Sequence, residues 1–208
     1  GTVRLGWQES AVAAEGKLFY AAEMLSQINV IPGLMHQASI IYFRVMQGEL
    51  SQVMLMLRGA GEVTRVQGDQ VLAWKVATLA GSTDRQLVVQ LNQPQKDRFA
   101  LQIQTQLPLG AFPQAFEPIQ WHPVDATRFA GYIRVVNEGA VRLEITQTTG
   151  LSQISPEQFP ESDATKAFFR ILGTQRFAYR FGGTDFGMKI QADQILPELG
   201  VSELALYH

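Results

Sequence analysis

An all-β fold is predicted for this chain: an antiparallel β-sandwich of about twelve strands with one short helix packed on a sheet face. The first observation behind it is alternation repeated segment after segment, as in Phe99, Leu101 and Ile103 against Arg98, Gln102 and Gln104, which is the period of a half-buried strand. The second is turn chemistry at short intervals. Gln47-Gly48-Glu49, Arg58-Gly59-Ala60-Gly61, Gln67-Gly68-Asp69 and Asn137-Glu138-Gly139 are links of hairpin length. The third is bulk: 208 residues, 46% hydrophobic and only 17% charged, suffice for a sizeable core and lie far from the signature of disorder. One domain covering 1–208 is expected.

Strands are predicted at 17–30, 38–47, 50–58, 61–67, 71–78, 85–92, 98–107, 128–137, 140–149, 174–182, 185–192 and 201–207. In the first, Leu18, Ala22, Leu25 and Ile28 also fit a helical stripe. Gly16 and Pro32-Gly33 bound the segment, and Asn29-Val30-Ile31 is poor helix material, so a strand is the better reading. The short links imply a locally meander-like strand order. In Ile40-Ile41-Tyr42-Phe43 and Val53-Met54-Leu55-Met56-Leu57 both parities are apolar, so both faces there should be covered. The cover is expected from the helix around Phe168; the sharper alternative is an apolar cavity lined by Met46, Met54 and Met56, whose thioethers adapt to varied ligands.

Pro108, Pro113, Pro118 and Pro123 recur every five residues. Each lacks a ladder donor, so 108–124 must be a connection or an irregular edge: a sub-domain boundary, a crossover between sheets, or a loop over a sheet edge. Ser155-Pro156-Glu157-Gln158 has capping-box spacing, limited to one turn by Pro160. Ser162 caps a helix predicted from Asp163 to Leu172 and stopped by Gly173, and its Phe168, Phe169, Ile171 and Leu172 require an apolar partner. The chain is strand-like up to both ends, in Thr2-Val3-Arg4-Leu5 and Leu204-Ala205-Leu206-Tyr207, which reads as a piece of a longer polypeptide.

Composition excludes more functions than it suggests. A net charge of −2, a pI near 5.9 and the absence of any Lys/Arg run speak against nucleic acid. With no cysteine there are no disulfides and no thiolate chemistry. No apolar run approaches the ~18 residues of a spanning helix. Arg outnumbers Lys twelve to five and Gln is about one residue in ten, a surface that suits an extracytoplasmic bacterial protein, whether periplasmic, cell-surface or secreted.

Catalytic and metal constellations are weak. His36, His122 and His208 are isolated, whereas a metal site needs ligands at short spacing or on facing strands. Asp69, Asp84, Asp97 and Asp185 sit singly in turns, where Asp bonds its own backbone. Neither metal nor cofactor is expected. Glu62, Glu117, Glu138, Glu144 and Asp185 are the candidates for a glycosidase acid pair, and they read as solvated surface acids. There is no G-x-S-x-G, no S-x-x-K and no phosphate loop; Gly59-Ala60-Gly61 joins two strands.

Aromatic residues carry the binding hypothesis. An exposed aromatic plane beside Gln, Asn or Arg grips a sugar ring, by stacking on the ring and bonding its hydroxyls. The candidate ligand-binding residues are Trp74, Trp121, Tyr132 and Arg134. Tyr132 shares its parity with Arg128 and Arg134; Trp74 alternates with Leu72 and Val76 and has a core reading as well. The expected protein is a monomeric, non-catalytic interaction or spacer module of a larger exported bacterial protein, contacting a glycan or a neighbouring domain. The alternatives are a carrier of an apolar ligand, such as a lipid, beneath the Met-rich strands, and a glycan-active enzyme with an unrecognised carboxylate pair.

Overall fold

The structure, a computed structural model, describes residues 17–79, 84–170 and 176–195. Among these the chain forms β1 (Phe19–Ile31), β2 (Leu34–Gln47), β3 (Leu50–Arg58), β4 (Glu62–Gln67), β5 (Val71–Thr78), β6 (Arg85–Gln95) and β7 (Arg98–Pro108). It continues with β8 (Gln114–Phe116), β9 (Gln120–Pro123), β10 (Arg128–Asn137), β11 (Val141–Thr149), β12 (Leu151–Ile154), a 3₁₀ turn at Pro156–Gln158, α1 (Asp163–Phe168), β13 (Arg176–Gly182) and β14 (Gly187–Gln194). The all-β, sandwich-like fold is as predicted, and the segment at 17–30 is a strand. The predicted strand at 201–207 lies outside the described residues; the helix expected to run from Asp163 to Leu172 is shorter, ending at Phe168 because Phe169 turns to extended backbone and packs its ring on the sheet.

Seven strands form one sheet in the order β12-β13-β10-β1-β2-β7-β4; β5-β6-β3-β9 and β11-β14-β8 form two smaller ones. All pairs are antiparallel except β1 with β10, at the middle of the large sheet. The inner face of the large sheet carries Met24, Ile28, Ile41, Phe43, Leu101, Ile103 and Val135. These pack against Leu55, Leu57, Leu87 and Val89 of one small sheet and Leu143, Met188 and Ile190 of the other, in one continuous core. Burying each such side chain stabilises the fold by roughly 1.5–3 kcal/mol.

The meander expectation is corrected by the strand order. The glycine links after β2, β3, β4 and β10 do not close hairpins; each carries the chain from one sheet to another. Length alone does not separate the two cases, because a three- or four-residue link turns a sandwich corner as readily as it reverses a strand. At the β3–β4 corner Gly59 and Gly61 adopt φ 104° and 118°, values open to glycine and strained for other residues. The Arg85 guanidinium donates to the carbonyls of both, at 2.6 Å each.

The Pro-rich stretch is both crossover and edge. Pro108 ends β7; β8 then becomes an edge of the three-stranded sheet and β9 an edge of the four-stranded one, where missing N–H donors are tolerated. These two strands and β12 are too short to show a period in the sequence. Residues of the core come from both sides of the stretch. No helix of the described residues is long and apolar enough to cross a membrane.

Half of the outer face of the large sheet is covered as predicted. Phe159 and Phe169, with Phe168, pack on Leu25, Ile40 and Ala178, which explains why Ile40 and Ile41 are both apolar. The cap of α1 closes as expected: the Thr165 N–H donates to Ser162 Oγ at 3.2 Å and the Ser162 N–H donates to Thr165 Oγ1 at 2.6 Å. Such a cap is worth about 1 kcal/mol.

Candidate functional site

The other half of that outer face is open. There β13, β10, β1 and β7 bear small residues, Gly182, Ala130, Ala21 and Ala100, which make the floor of a groove of about 1320 Å³. Its polar groups come from the alternate positions that the pleat points outward: Arg44 and Tyr42 from β2, Arg98 from β7, Arg128 and Tyr132 from β10, Arg180 from β13 and Glu23 from β1. All four arginines and Glu23 are exposed.

The ladder fixes how these groups are spaced. Arg44 is the direct partner of Arg98 and of Ala21, and Ala21 is the partner of Arg128. Three guanidinium groups therefore occupy one row across the sheet, about 5 Å and about 10 Å apart at the backbone given the strand spacing. Arg180 lies opposite Tyr132, two outward-facing positions along β10 from Arg128. Among the described residues the ion pairs are Lys96–Glu49 and Arg134–Glu161, so none of the four groove arginines is neutralised by a carboxylate there. Glu23 lies opposite Tyr42; burial and that carboxylate hold the Tyr42 hydroxyl above its ordinary pKa.

The four residues singled out in the sequence go to different places. Tyr132 lines the groove, with its ring edge-on to Phe159 at 6.5 Å. Arg134 is its neighbour on the same face but is buried. Its Nε donates to Gln27 Oε1 at 2.9 Å, its Nη1 pairs with Glu161 at 2.5 Å, and its guanidinium lies 4.3 Å from the centre of the Phe159 ring. That residue holds the covering segment in place. Trp121 is wholly buried opposite Leu57 and presents no plane to a ligand. Trp74 is 38% exposed; it shares its face with Val76, but the ladder slips between Val71 and Ala73, which takes Leu72 out of the predicted register, and this edge strand does not line the groove.

Other candidates do not converge. Met46 is exposed on the large sheet, while Met54 and Met56 are half-buried on a small one. Glu117 and Asp185 line a separate hollow of about 210 Å³ with Gln120 and Lys189. His122 is buried beside Phe186; burial and Arg58 lower its pKa, against Asp185. Among the described residues no three His, Asp or Glu gather as metal ligands.

The groove arginines other than Arg128 were missed because each stands alone in the sequence. Arg44 sits beyond Tyr42 at the same parity, and Arg98 opens its strand. Only the pairing of β2 with β7 puts them side by side.

No family model matches the chain, and no curated protein matches it in sequence. Among solved structures it is similar to an M1 zinc metallopeptidase from Deinococcus radiodurans, with a TM-score of 0.45 and 11% identity over 85% of this chain and 43% of that one. A mutant of an M1 zinc metallopeptidase from the same organism bound to a Tyr-Ser-Ala substrate gives 0.43 and 12% over 84% and 42%. A two-domain M1 zinc metallopeptidase mutant bound to L-tryptophan gives 0.44 and 11% over 85% and 44%. The chain spans less than half the length of these structures.

Proposed function

We propose that the chain is a non-catalytic binding module, part of a larger exported bacterial protein, that engages an acidic partner through the open half of its outer sheet face. The observation that carries this reading is the row of Arg44, Arg98 and Arg128 with Arg180 in the same groove, four cations against the one carboxylate of Glu23 and none of them ion-paired among the described residues, on a chain of net charge −2. Positive charge is concentrated here against the sign of the whole molecule, which steers a negative partner to this one face. The groove offers guanidinium groups, two phenols, the Ser152 hydroxyl and a single carboxylate; that set suits binding and orienting better than the paired acid–base chemistry of a hydrolase. A rigid sheet holds these side chains at fixed spacing, as a recognition surface requires.

The test is amide chemical-shift mapping of the ¹⁵N-labelled protein titrated with acidic chains: oligogalacturonate, a heparin oligosaccharide and poly-L-glutamate. At least one is expected to shift the amides of Ala21, Ala130 and Gly182. Shifts from all three that fall elsewhere, or no shifts, would overturn the reading.

A further inference from the structure

The partner's chemistry can be narrowed, on the footing that the groove is the binding face. We infer that it takes a polysaccharide bearing uronic acid carboxylates. A second hollow of about 630 Å³ adjoins the groove at Arg98 and Ala100 and is lined by Gln67, Gln70 and Gln102, with the single carboxylate of Asp69 at the β4–β5 turn. The arginine row therefore runs on into a stretch of amides, where Asp69 adds an acceptor for hydroxyls and no further cation follows. A ligand that covers both must alternate negative groups with groups that exchange hydrogen bonds without charge, as carboxylates and hydroxyls do along a uronic acid chain.

The groove itself points the same way. Every cation in it is an arginine, whose planar fork matches a carboxylate through two parallel hydrogen bonds. Tyr42, 38% exposed, offers a sugar ring an apolar face, and the alanine and glycine floor lets that ring approach the sheet. Glu23 lies among the arginines as an acceptor for hydroxyls, and its charge disfavours a chain as densely anionic as a nucleic acid. An acidic polypeptide could not add itself as a strand here, because the backbone groups under the groove are spent in the ladders of β13, β10, β1, β2 and β7. It would forgo the main-chain bonds on which extended peptides rely.

Calorimetric titration of the full chain with oligogalacturonate, its methyl ester, poly-L-glutamate and a single-stranded oligonucleotide, at one fixed ionic strength, tests this. The expected result is that oligogalacturonate binds, its methyl ester binds at least tenfold more weakly, and the R44Q/R98Q variant loses at least tenfold for the acid form. The comparison of acid with ester is made on the unaltered protein, so it stands even where the double variant fails to fold. Equal affinity for acid and ester overturns the inference, as does poly-L-glutamate or the oligonucleotide binding at least as tightly. In the latter case, with shifts still mapped to Ala21, Ala130 and Gly182, the binding-module reading survives and only the glycan assignment falls.

Discussion

Arg44 on β2 and Arg98 on β7 stand directly opposite each other on the outer face of the large sheet, and neither is ion-paired among the described residues. Like charges facing each other across a ladder destabilise a sheet by about 0.2–1 kcal/mol. Replacing one of them should therefore leave the fold slightly more stable while weakening its hold on an acidic ligand. For Arg98→Gln the expected outcome is a urea midpoint equal to or above that of the parent at low salt, with the difference closing as salt screens the pair. A clear loss of stability at low salt would show that the two guanidinium groups support the sheet.

Gly182 of the groove floor and Gly131, the residue on β10 next to its partner Ala130, make a contrasting pair. At Gly131 a Cβ would lie 2.1 Å from the Met24 carbonyl oxygen, whereas at Gly182 nothing lies within 4 Å of the added atom. The first contact is with backbone, at the parallel pairing of β1 and β10, so the sheet itself has to give. Gly131→Ala should cost about 3 kcal/mol or fail to fold. Gly182→Ala should fall within about 0.5 kcal/mol of the parent. Denaturant unfolding of both variants checks the contrast, and equal stability would contradict the close approach.

What could be read in the sequence was what repeats. Alternation in 98–107 or 128–137 fixes which side chains share a face, and so Tyr132 with Arg128 was legible as an outward row. Strand partners were not, because a link such as Arg58-Gly59-Ala60-Gly61 has the same length whether it reverses the chain within a sheet or turns a corner to the next. The groove depends on that missing information: Arg44, Arg98 and Arg180 are distant in sequence and meet only through β2–β7 and β10–β13. Trp121 shows the opposite limit. Its proline-rich surroundings read as an exposed connection, yet Ile119 leads straight into the edge strand Gln120–Pro123, whose inner face closes the core.

Arg134 is placed to hold the covering segment of residues 155–170 onto the sheet. Its guanidinium joins Gln27, Glu161 and Phe159, and the Gln27 Nε2 in turn donates to the Arg170 carbonyl at 2.7 Å. Removing it leaves the Gln27 acceptor buried without a donor and frees Glu161, which is already one-third exposed at 34%. Arg134→Ala should cost about 2 kcal/mol, less than a fully buried pair because Glu161 recovers water. Hydrogen exchange should then accelerate in α1 ahead of the core strands. Uniform acceleration across the molecule would show that the segment is not a separable cover.

Tyr20 should govern part of the alkaline limb of stability. Its hydroxyl donates to the Val124 carbonyl, and burial, reinforced by Asp125, pushes its pKa up from 10.0 to about 12. The unfolded chain then releases this proton near pH 10 while the native protein keeps it to about 12. The native state binds the extra proton over that window, so the contribution is fully present below pH 10 and is lost as pH rises through 12. Tyr42 and Tyr179, also raised, add to the same slope. Tyr20→Phe should start less stable at pH 8 by about 1 kcal/mol, for the lost hydrogen bond. The gap to the parent should narrow between pH 10 and 12, because only the parent loses this proton-linked term. Guanidinium unfolding at pH 8, 10 and 11 measures the gap directly; a constant gap would place the Tyr20 hydroxyl at its ordinary pKa.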